Sequence, residues 1–314
     1  MSVLNIFLLL LGLGMVVLGA DALIEGASRI ARRFGVSEFV IGVILVGFGT
    51  SLPELVVSVT GAIERNSDIA IGNVVGSNIF NVLIILAVTA LFSPIEISRD
   101  NRRRDIPVTI LLSMLVLLLG WALGGRLSRL DGAILLLAFA AYVFFNFKWN
   151  KHEAEELSAK AETRPVWFST LMTAGGLAAL VFGGRLFVDK SVILAHDLGV
   201  SDKFIAITVL AVGTSLPEFV TSLVAAIKKH AQMALGNILG SITFNMLLIL
   251  GTSAVITPMS FSGMHWIDLS TLSLSLILLW TCVFTGKKNE LDRFDAIIML
   301  LFAAAYFVWL FHKL

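Results

Sequence analysis

Charge is what this sequence has least of. Only 14% of its 314 residues are Asp, Glu, Lys or Arg, against roughly a quarter in a soluble domain. So few charges cannot clothe a water-facing surface over this length. Cysteine occurs once, at position 282, so no intrachain disulfide can form. The five histidines are scattered over segment ends without zinc-like spacing, which excludes a soluble metalloenzyme. A net charge of +1 gathers no basic face, so nucleic acid is not expected as a partner. What the chain does have is apolar bulk, 57% hydrophobic residues with a mean hydropathy of +0.93. Most of it must face lipid or other apolar helices, and the bilayer is its expected partner.

The apolar run over residues 1–22 ends in Ala-Asp-Ala like a secretory signal, but it has no positive start. It also has an internal counterpart around residues 166–189, where no signal can lie. It is expected to be a retained first transmembrane helix. A transmembrane helix needs about 20 apolar residues. That rule predicts ten spans, over residues 3–28, 38–64, 69–92, 106–124, 131–148, 166–188, 203–227, 232–256, 265–284 and 294–312.

An internal repeat organises these spans. Shifting the first half by 164 residues lays it on the second without a gap, and 26 of 60 positions are identical between 35–94 and 199–258. Gly-Val-Ser at 35–37 recurs at 199–201, and Gly-Thr-Ser-Leu-Pro-Glu at 49–54 recurs at 213–218. Gly72, Asn73, Gly76, Ser77, Phe80 and Asn81 recur as Gly236, Asn237, Gly240, Ser241, Phe244 and Asn245. Chance does not supply such agreement, so the halves descend from a duplication. Each repeat holds five spans, an odd number, and the second must therefore enter the membrane inverted. The expected fold is an all-α membrane protein of ten transmembrane helices, with one five-helix repeat over 1–149 and an inverted one over 166–314. A short charged cytoplasmic linker, 150–165, joins them. Most Lys and Arg fall in loops that are cytoplasmic if both termini are extracytoplasmic, in a multi-pass protein of the cell membrane.

The repeated hexapeptide carries chemistry. Pro53 and Pro217 each remove a helix N–H and crowd the preceding turn, and Gly47, Gly49 and Gly213 loosen the same stretch. Helices 2 and 7 are therefore expected to be broken, with carbonyls released. Such carbonyls are tolerated at membrane depth only where they line a cavity or bind something. Thr50, Glu54 and Ser58 are spaced to share a helical face, as are Thr214, Glu218 and Ser222. Asn73, Ser77 and Asn81 make a polar stripe in the third span, and Asn237, Ser241 and Asn245 repeat it in the eighth. All offer oxygen, the ligand of a hard cation. No Lys or Arg lies within these four spans away from their ends. A bound cation or a proton must neutralise the two glutamates, since a charge at the bilayer centre costs on the order of 2.5–3.5 kcal/mol. The remaining polar groups have structural readings: Asn73 and Asn237 can pin a kinked helix, and the Gly-x-x-x-Gly pairs can pack closely. Asp131 and Asp295 are expected as helix N-caps. Asp21, Glu25 and Asp189 belong near the interfaces.

The paired segments, Gly-Thr-Ser-Leu-Pro-Glu with Gly-Asn-Val-Val-Gly-Ser-Asn-Ile-Phe-Asn and then with Gly-Asn-Ile-Leu-Gly-Ser-Ile-Thr-Phe-Asn, resemble the two alpha-repeats of sodium/calcium exchangers. The layout is similar to the compact archaeal and bacterial type. The resemblance implies an antiporter exchanging Na⁺ for Ca²⁺ by alternating access, without a cofactor and functional as a monomer. It implies four ion sites in a diamond, with Glu54 and Glu218 as shared central ligands and Thr50 and Thr214 at the Ca²⁺ site. Ser77 would serve an inner Na⁺ site with the Gly47 carbonyl, and Ser241 an outer one with the Ala211 carbonyl. Ser51 and Ser215 would flank these positions, and Asn81 and Asn245 would border the middle site, where some relatives have Asp in place of Asn245. The other readings of the same carboxylates are a Ca²⁺/H⁺ antiporter and a K⁺-dependent Na⁺/Ca²⁺ exchanger. Inverted duplication argues against a channel, and no nucleophile–base set supports an enzyme.

Overall fold

The computed structural model describes residues 3–122, 125–149, 165–198, 211–261, 266–285 and 289–313. The linker expected over 150–165 (save Pro165), the second Gly-Val-Ser and the start of the seventh predicted span lie outside the described residues. The helices are α1 (Val3–Phe34), α2 (Glu38–Thr50), α3 (Leu52–Ile63), α4 (Ser67–Phe92) and α5 (Ile106–Leu117). They continue with α6 (Arg129–Trp149), α7 (Val166–Asp197), α8 (Ala211–Thr214), α9 (Leu216–Ile227), α10 (Ala231–Ile256), α11 (Trp266–Cys282) and α12 (Arg293–Lys313). π-helical turns extend α5 at both ends. Among the described residues six helices are long and apolar enough alone to cross a membrane, namely α1, α4, α6, α7, α10 and α12. A seventh crossing results if the bent pair α2–α3 counts as one.

Burial sorts these helices into a centre and a periphery. The apolar windows of α4 and α10 are 72% and 83% buried, whereas those of α1, α6, α7 and α12 are 22–28% buried. A soluble protein would put polar groups on the outer helices. Here Leu18, Leu137 and Leu301 are the exposed side chains, and Ser77, Asn78, Asn81, Asn237, Ser241 and Asn245 are the buried ones. These polar side chains of the central helices are inside, among a largely apolar core, and the peripheral helices turn apolar side chains outward, as lipid requires.

The sequence offset of 164 recurs in the contacts. Two short antiparallel strand pairs join the halves crosswise. Ile95 of β1 (Ile95–Glu96) pairs with Leu291 of β4 (Glu290–Leu291), and Leu127 of β2 (Arg126–Leu127) pairs with Met259 of β3 (Met259–Ser260). Each pairing is the other's image under the offset. The long helices α1 and α7 pack antiparallel in the same reciprocal way. A Cβ on Gly12 would lie 2.9 Å from the Gly183 carbonyl oxygen, and one on Gly19 would lie 2.8 Å from that of Gly176. Only glycine lets the two backbones come so close.

Three expectations need correction. The first and sixth spans, expected over 3–28 and 166–188, are helices of 32 residues each. At 1.5 Å per residue these are about 48 Å long, beyond the roughly 30 Å hydrocarbon core. Ser28 stays buried on α1 beside Glu38, and both helices continue past the expected ends, through residues 29–34 and 189–197. Second, Asp131 and Asp295 are not N-caps but the third residues of capping boxes. Ser128 Oγ accepts from the Asp131 N–H while Asp131 Oδ2 accepts from the Ser128 N–H, and Asp292 and Asp295 do the same. A cap side chain and a return acceptor satisfy two orphan donors at once. Third, the Thr50–Glu54–Ser58 stripe is not one helical face, because the helix breaks between its first two members.

Candidate cation-binding site

The break falls at Ser51 (φ −84°, ψ 9°), where α2 and α3 meet at a bend of 51°. Ser215 (φ −88°, ψ 6°) separates α8 from α9 in the same conformation. Pro53 and Pro217 sit in the first turn of the helix that follows, where proline is well tolerated. Their missing N–H groups leave Gly49 and Gly213 without the donor that would have continued the helix. The break turns the Ser51 and Ser215 side chains toward the opposite half, while the Ser51 backbone still bonds Gly47 and Leu55 and the Ser215 carbonyl still accepts from Phe219.

There they meet the glutamates crosswise. Ser51 Oγ donates to Glu218 Oε1 at 2.9 Å, and Ser215 Oγ donates to Glu54 Oε1 at 3.3 Å. Both glutamates are 1% exposed, so water does not solvate them. Their second oxygens, Glu54 Oε2 and Glu218 Oε2, are buried without a hydrogen-bond partner. Among the described residues no ion pair involves either carboxylate; pairs such as Lys228 with Asp21 and His230 Nδ1 with Glu38 Oε1 at 2.8 Å lie elsewhere.

The third-span stripe divides into two roles. Asn73 Nδ2 donates to the Glu54 carbonyl at 3.2 Å and to Ser58 Oγ at 3.0 Å. Asn237 Nδ2 donates to the Glu218 carbonyl at 3.3 Å and to Ser222 Oγ at 2.8 Å. These amides fasten α4 to α3 and α10 to α9 just beside each glutamate. Asn81 and Asn245 lie about two turns further, in π-helical turns at Asn81–Leu86 and Phe244–Ile249. Such turns insert an extra residue and are frequent at functional sites. Asn81 Oδ1 and Asn245 Oδ1 are buried and, like the glutamate Oε2 atoms, have no partner.

Gly47 shows where the resemblance misled. It was paired above with Ser77, but its carbonyl accepts from Ser241 Oγ at 3.4 Å. The physical reason is packing: a Cβ on Gly47 would lie 3.0 Å from the Ser241 N, so α2 rests on α10. Thr50 Oγ1 joins the same group, 3.2 Å from Asn237 Oδ1 and 3.4 Å from the Gly47 carbonyl, either of which can accept its proton. Ser77 is buried on α4, Thr214 ends α8 half-buried, and Ala211 opens α8. The close packing expected of Gly-x-x-x-Gly is present at Gly236 and Gly240, which lie against the backbones of Phe39 and Val43, but at Gly72 and Gly76 an added Cβ would meet no described residue within 4 Å.

Sequence reasoning missed Asn78. It is fully buried on α4, and its Oδ1 accepts from Asn245 Nδ2 at 2.9 Å. A signal was available, because Asn78 is a polar residue at a position where the second repeat has Ile242.

The arrangement leaves four buried acceptor oxygens unpaired, two from carboxylates and two from amides. A buried ion without a partner costs several kcal/mol, and a buried unpaired amide oxygen about 1–3 kcal/mol more. A hard cation, which takes oxygen ligands, suits all four, whereas a proton would neutralise only the carboxylates. Among the described residues no three His, Cys, Asp or Glu side chains gather, so the donor set is not that of a soft-metal centre.

Comparison with known proteins points the same way. A family profile described as sodium/calcium exchanger protein matches residues 4–148 and again 168–312, the same 164-residue offset. The sodium/calcium exchanger MaX1 of Methanosarcina acetivorans is 36% identical, with 99% of this chain and 100% of that protein covered. The inner membrane protein YrbG of Escherichia coli is 36% identical over 80% of this chain and 79% of its own. A structure of the sodium-calcium exchanger NCX_Mj, soaked with zero Na⁺ and Ca²⁺, superposes with a TM-score of 0.87. Its identity is 31%, covering 99% of this chain and 100% of that one.

Proposed function

The chain belongs to the sodium/calcium exchanger protein family, which makes it a membrane cation antiporter and not an enzyme; from that premise we propose that it exchanges Na⁺ for Ca²⁺ by alternating access around Glu54 and Glu218. The observation that carries this reading is the set of four buried, unpartnered oxygens on Glu54, Glu218, Asn81 and Asn245. Two carboxylates match the charge of one Ca²⁺, or of Na⁺ ions bound together. Thr50 and Thr214 complete the Ca²⁺ position. The Gly47 carbonyl with Ser241 makes one flanking Na⁺ position, and Ser77 with the Ala211 carbonyl makes the other. Ser51 and Ser215 hold the glutamates in place, while Asn73 and Asn237 position the helices.

Ten spans in two inverted repeats, 1–149 and 166–314 with the linker 150–165 between them, bring the two copies of the site together near the midplane. The helix pairs α2–α3 and α8–α9 are then the broken second and seventh spans. The positive-inside rule places both termini outside the cell membrane. The long pair α1–α7, packed on glycine, is the element that slides between the outward- and inward-open states. Only a neutralised site crosses the apolar barrier, which is what couples the two ions. Where the cycle moves net charge, each unit contributes about 2.3 kcal/mol per 100 mV of membrane potential.

The test is ⁴⁵Ca²⁺ uptake into liposomes holding the purified protein, loaded with Na⁺, with K⁺, or with a pH gradient alone. Uptake is expected only with Na⁺ inside. Uptake that follows the pH gradient and ignores Na⁺ would replace Na⁺ exchange with Ca²⁺/H⁺ exchange, and a requirement for K⁺ alongside Na⁺ would make K⁺ a co-substrate.

A further inference from the structure

The two halves of the site differ at several buried positions, and at one of them the difference acts on a ligand. Within the matching Gly-Ser-x-x-Phe-Asn segments the first repeat has Asn78 where the second has Ile242. We propose that Asn78 is a positioning residue for cation binding, fixing Asn245 so that it presents only its oxygen to the ion. This rests on the cation-site reading above.

An amide side chain has two unlike ends, a carbonyl oxygen that attracts a cation and an NH₂ that repels it. Nothing in the shape of asparagine chooses between them; its partners do. Asn78 Oδ1 takes the Asn245 NH₂ at 2.9 Å, which leaves Asn245 Oδ1 as the unpartnered, buried end. A flipped Asn245 would set its oxygen against Asn78 Oδ1 and its NH₂ toward the ion. Asn78 is itself kept from flipping, because its own Nδ2 donates to the Ile242 carbonyl at 3.5 Å. That carbonyl belongs to the position equivalent to Asn78 in the other repeat, so the contact joins the two α4-like helices at their centre. The apolar Ile242 side chain can offer Asn81 no such acceptor. The pseudo-symmetric site therefore has one fixed amide ligand, Asn245, and one whose orientation this position does not set, Asn81.

The test is equilibrium ⁴⁵Ca²⁺ binding to the purified full-length protein, comparing wild type, Asn78→Ile, Asn245→Asp and the double variant. A carboxylate has oxygen at both ends and needs no orienting, so the two backgrounds separate orientation from packing. Asn78→Ile is expected to weaken Ca²⁺ binding about tenfold in the wild-type background, the scale of one oriented hydrogen bond. In the Asn245→Asp background the same change is expected to cost less than about twofold. An equal loss in both backgrounds, or none in the wild-type background, would overturn the assignment. If Asn78→Ile does not elute as a monodisperse protein, Asn78→Ser is measured in its place and judged by the same outcomes, since its hydroxyl is too short to reach Asn245. Wild-type binding that survives Glu54→Gln would instead overturn the cation-site reading itself, and Asn78's role with it.

Discussion

Adding one methyl group at Gly19 should loosen the α1–α7 pair more than its size suggests. A Cβ there would lie 2.8 Å from the Gly176 carbonyl oxygen and 2.9 Å from the Leu180 N. Both neighbours are backbone, which cannot rotate aside, and ordinary contacts of this kind begin near 3.4 Å. The helices must therefore separate by about half an ångström along a seam that also includes Gly12 and Gly183, losing contact at each crossing. Overpacking of this kind costs about 1–3 kcal/mol. Gly14 is the internal control, since an added Cβ there meets nothing within 4 Å among the described residues. At Gly14 the change to alanine should be neutral or stabilising by up to about 1 kcal/mol, the helix-propensity difference. The assay is the thermal unfolding midpoint of both variants in mild detergent. A Gly19→Ala variant as stable as Gly14→Ala would refute the close backbone approach.

Further predictions concern the site. Ser51→Ala removes the shorter of the two crosswise hydroxyl contacts, 2.9 Å against 3.3 Å. It should weaken Ca²⁺ binding by about 1.5–3 kcal/mol, the range for a hydrogen bond to a charged group, and by more than Ser215→Ala does; isothermal titration of both variants checks the order. Asn245→Asp adds a third carboxylate beside two that already lack a cationic partner. It should tighten Ca²⁺ more than Na⁺, because ion charge multiplies the Coulomb gain, and competition binding reads the ratio.

How much of this was legible in the sequence depended on whether a feature was periodic or conformational. The repeat was fully legible, because identical residues at a fixed offset need no structure to be seen, and the strand pairs and glycine contacts repeat it in space. The break beside Pro53 followed from a missing N–H. Its consequence did not: a linear stripe put Thr50 beside Glu54, whereas the turn at Ser51 hands Ser51 to Glu218. The Gly47 carbonyl was assigned to Ser77 of its own repeat and meets Ser241 of the other, because one repeat's periodicity says nothing of contacts between repeats. The π-helical turns at Asn81 and Asn245 were invisible for a similar reason, since an inserted residue leaves the same letters in the same order. Asn78 escaped because repeat agreement was the criterion, and its importance lies in a disagreement.

The central claim is that Glu54 and Glu218 together hold the transported cations, and equilibrium ⁴⁵Ca²⁺ binding with Na⁺ as competitor tests it most directly. Wild-type protein should bind Ca²⁺, and Na⁺ should displace it. Glu54→Gln and Glu218→Gln should each abolish binding while the protein still elutes as a folded, monodisperse species. Ca²⁺ binding of normal affinity in either variant, or binding that Na⁺ fails to displace, would contradict the account.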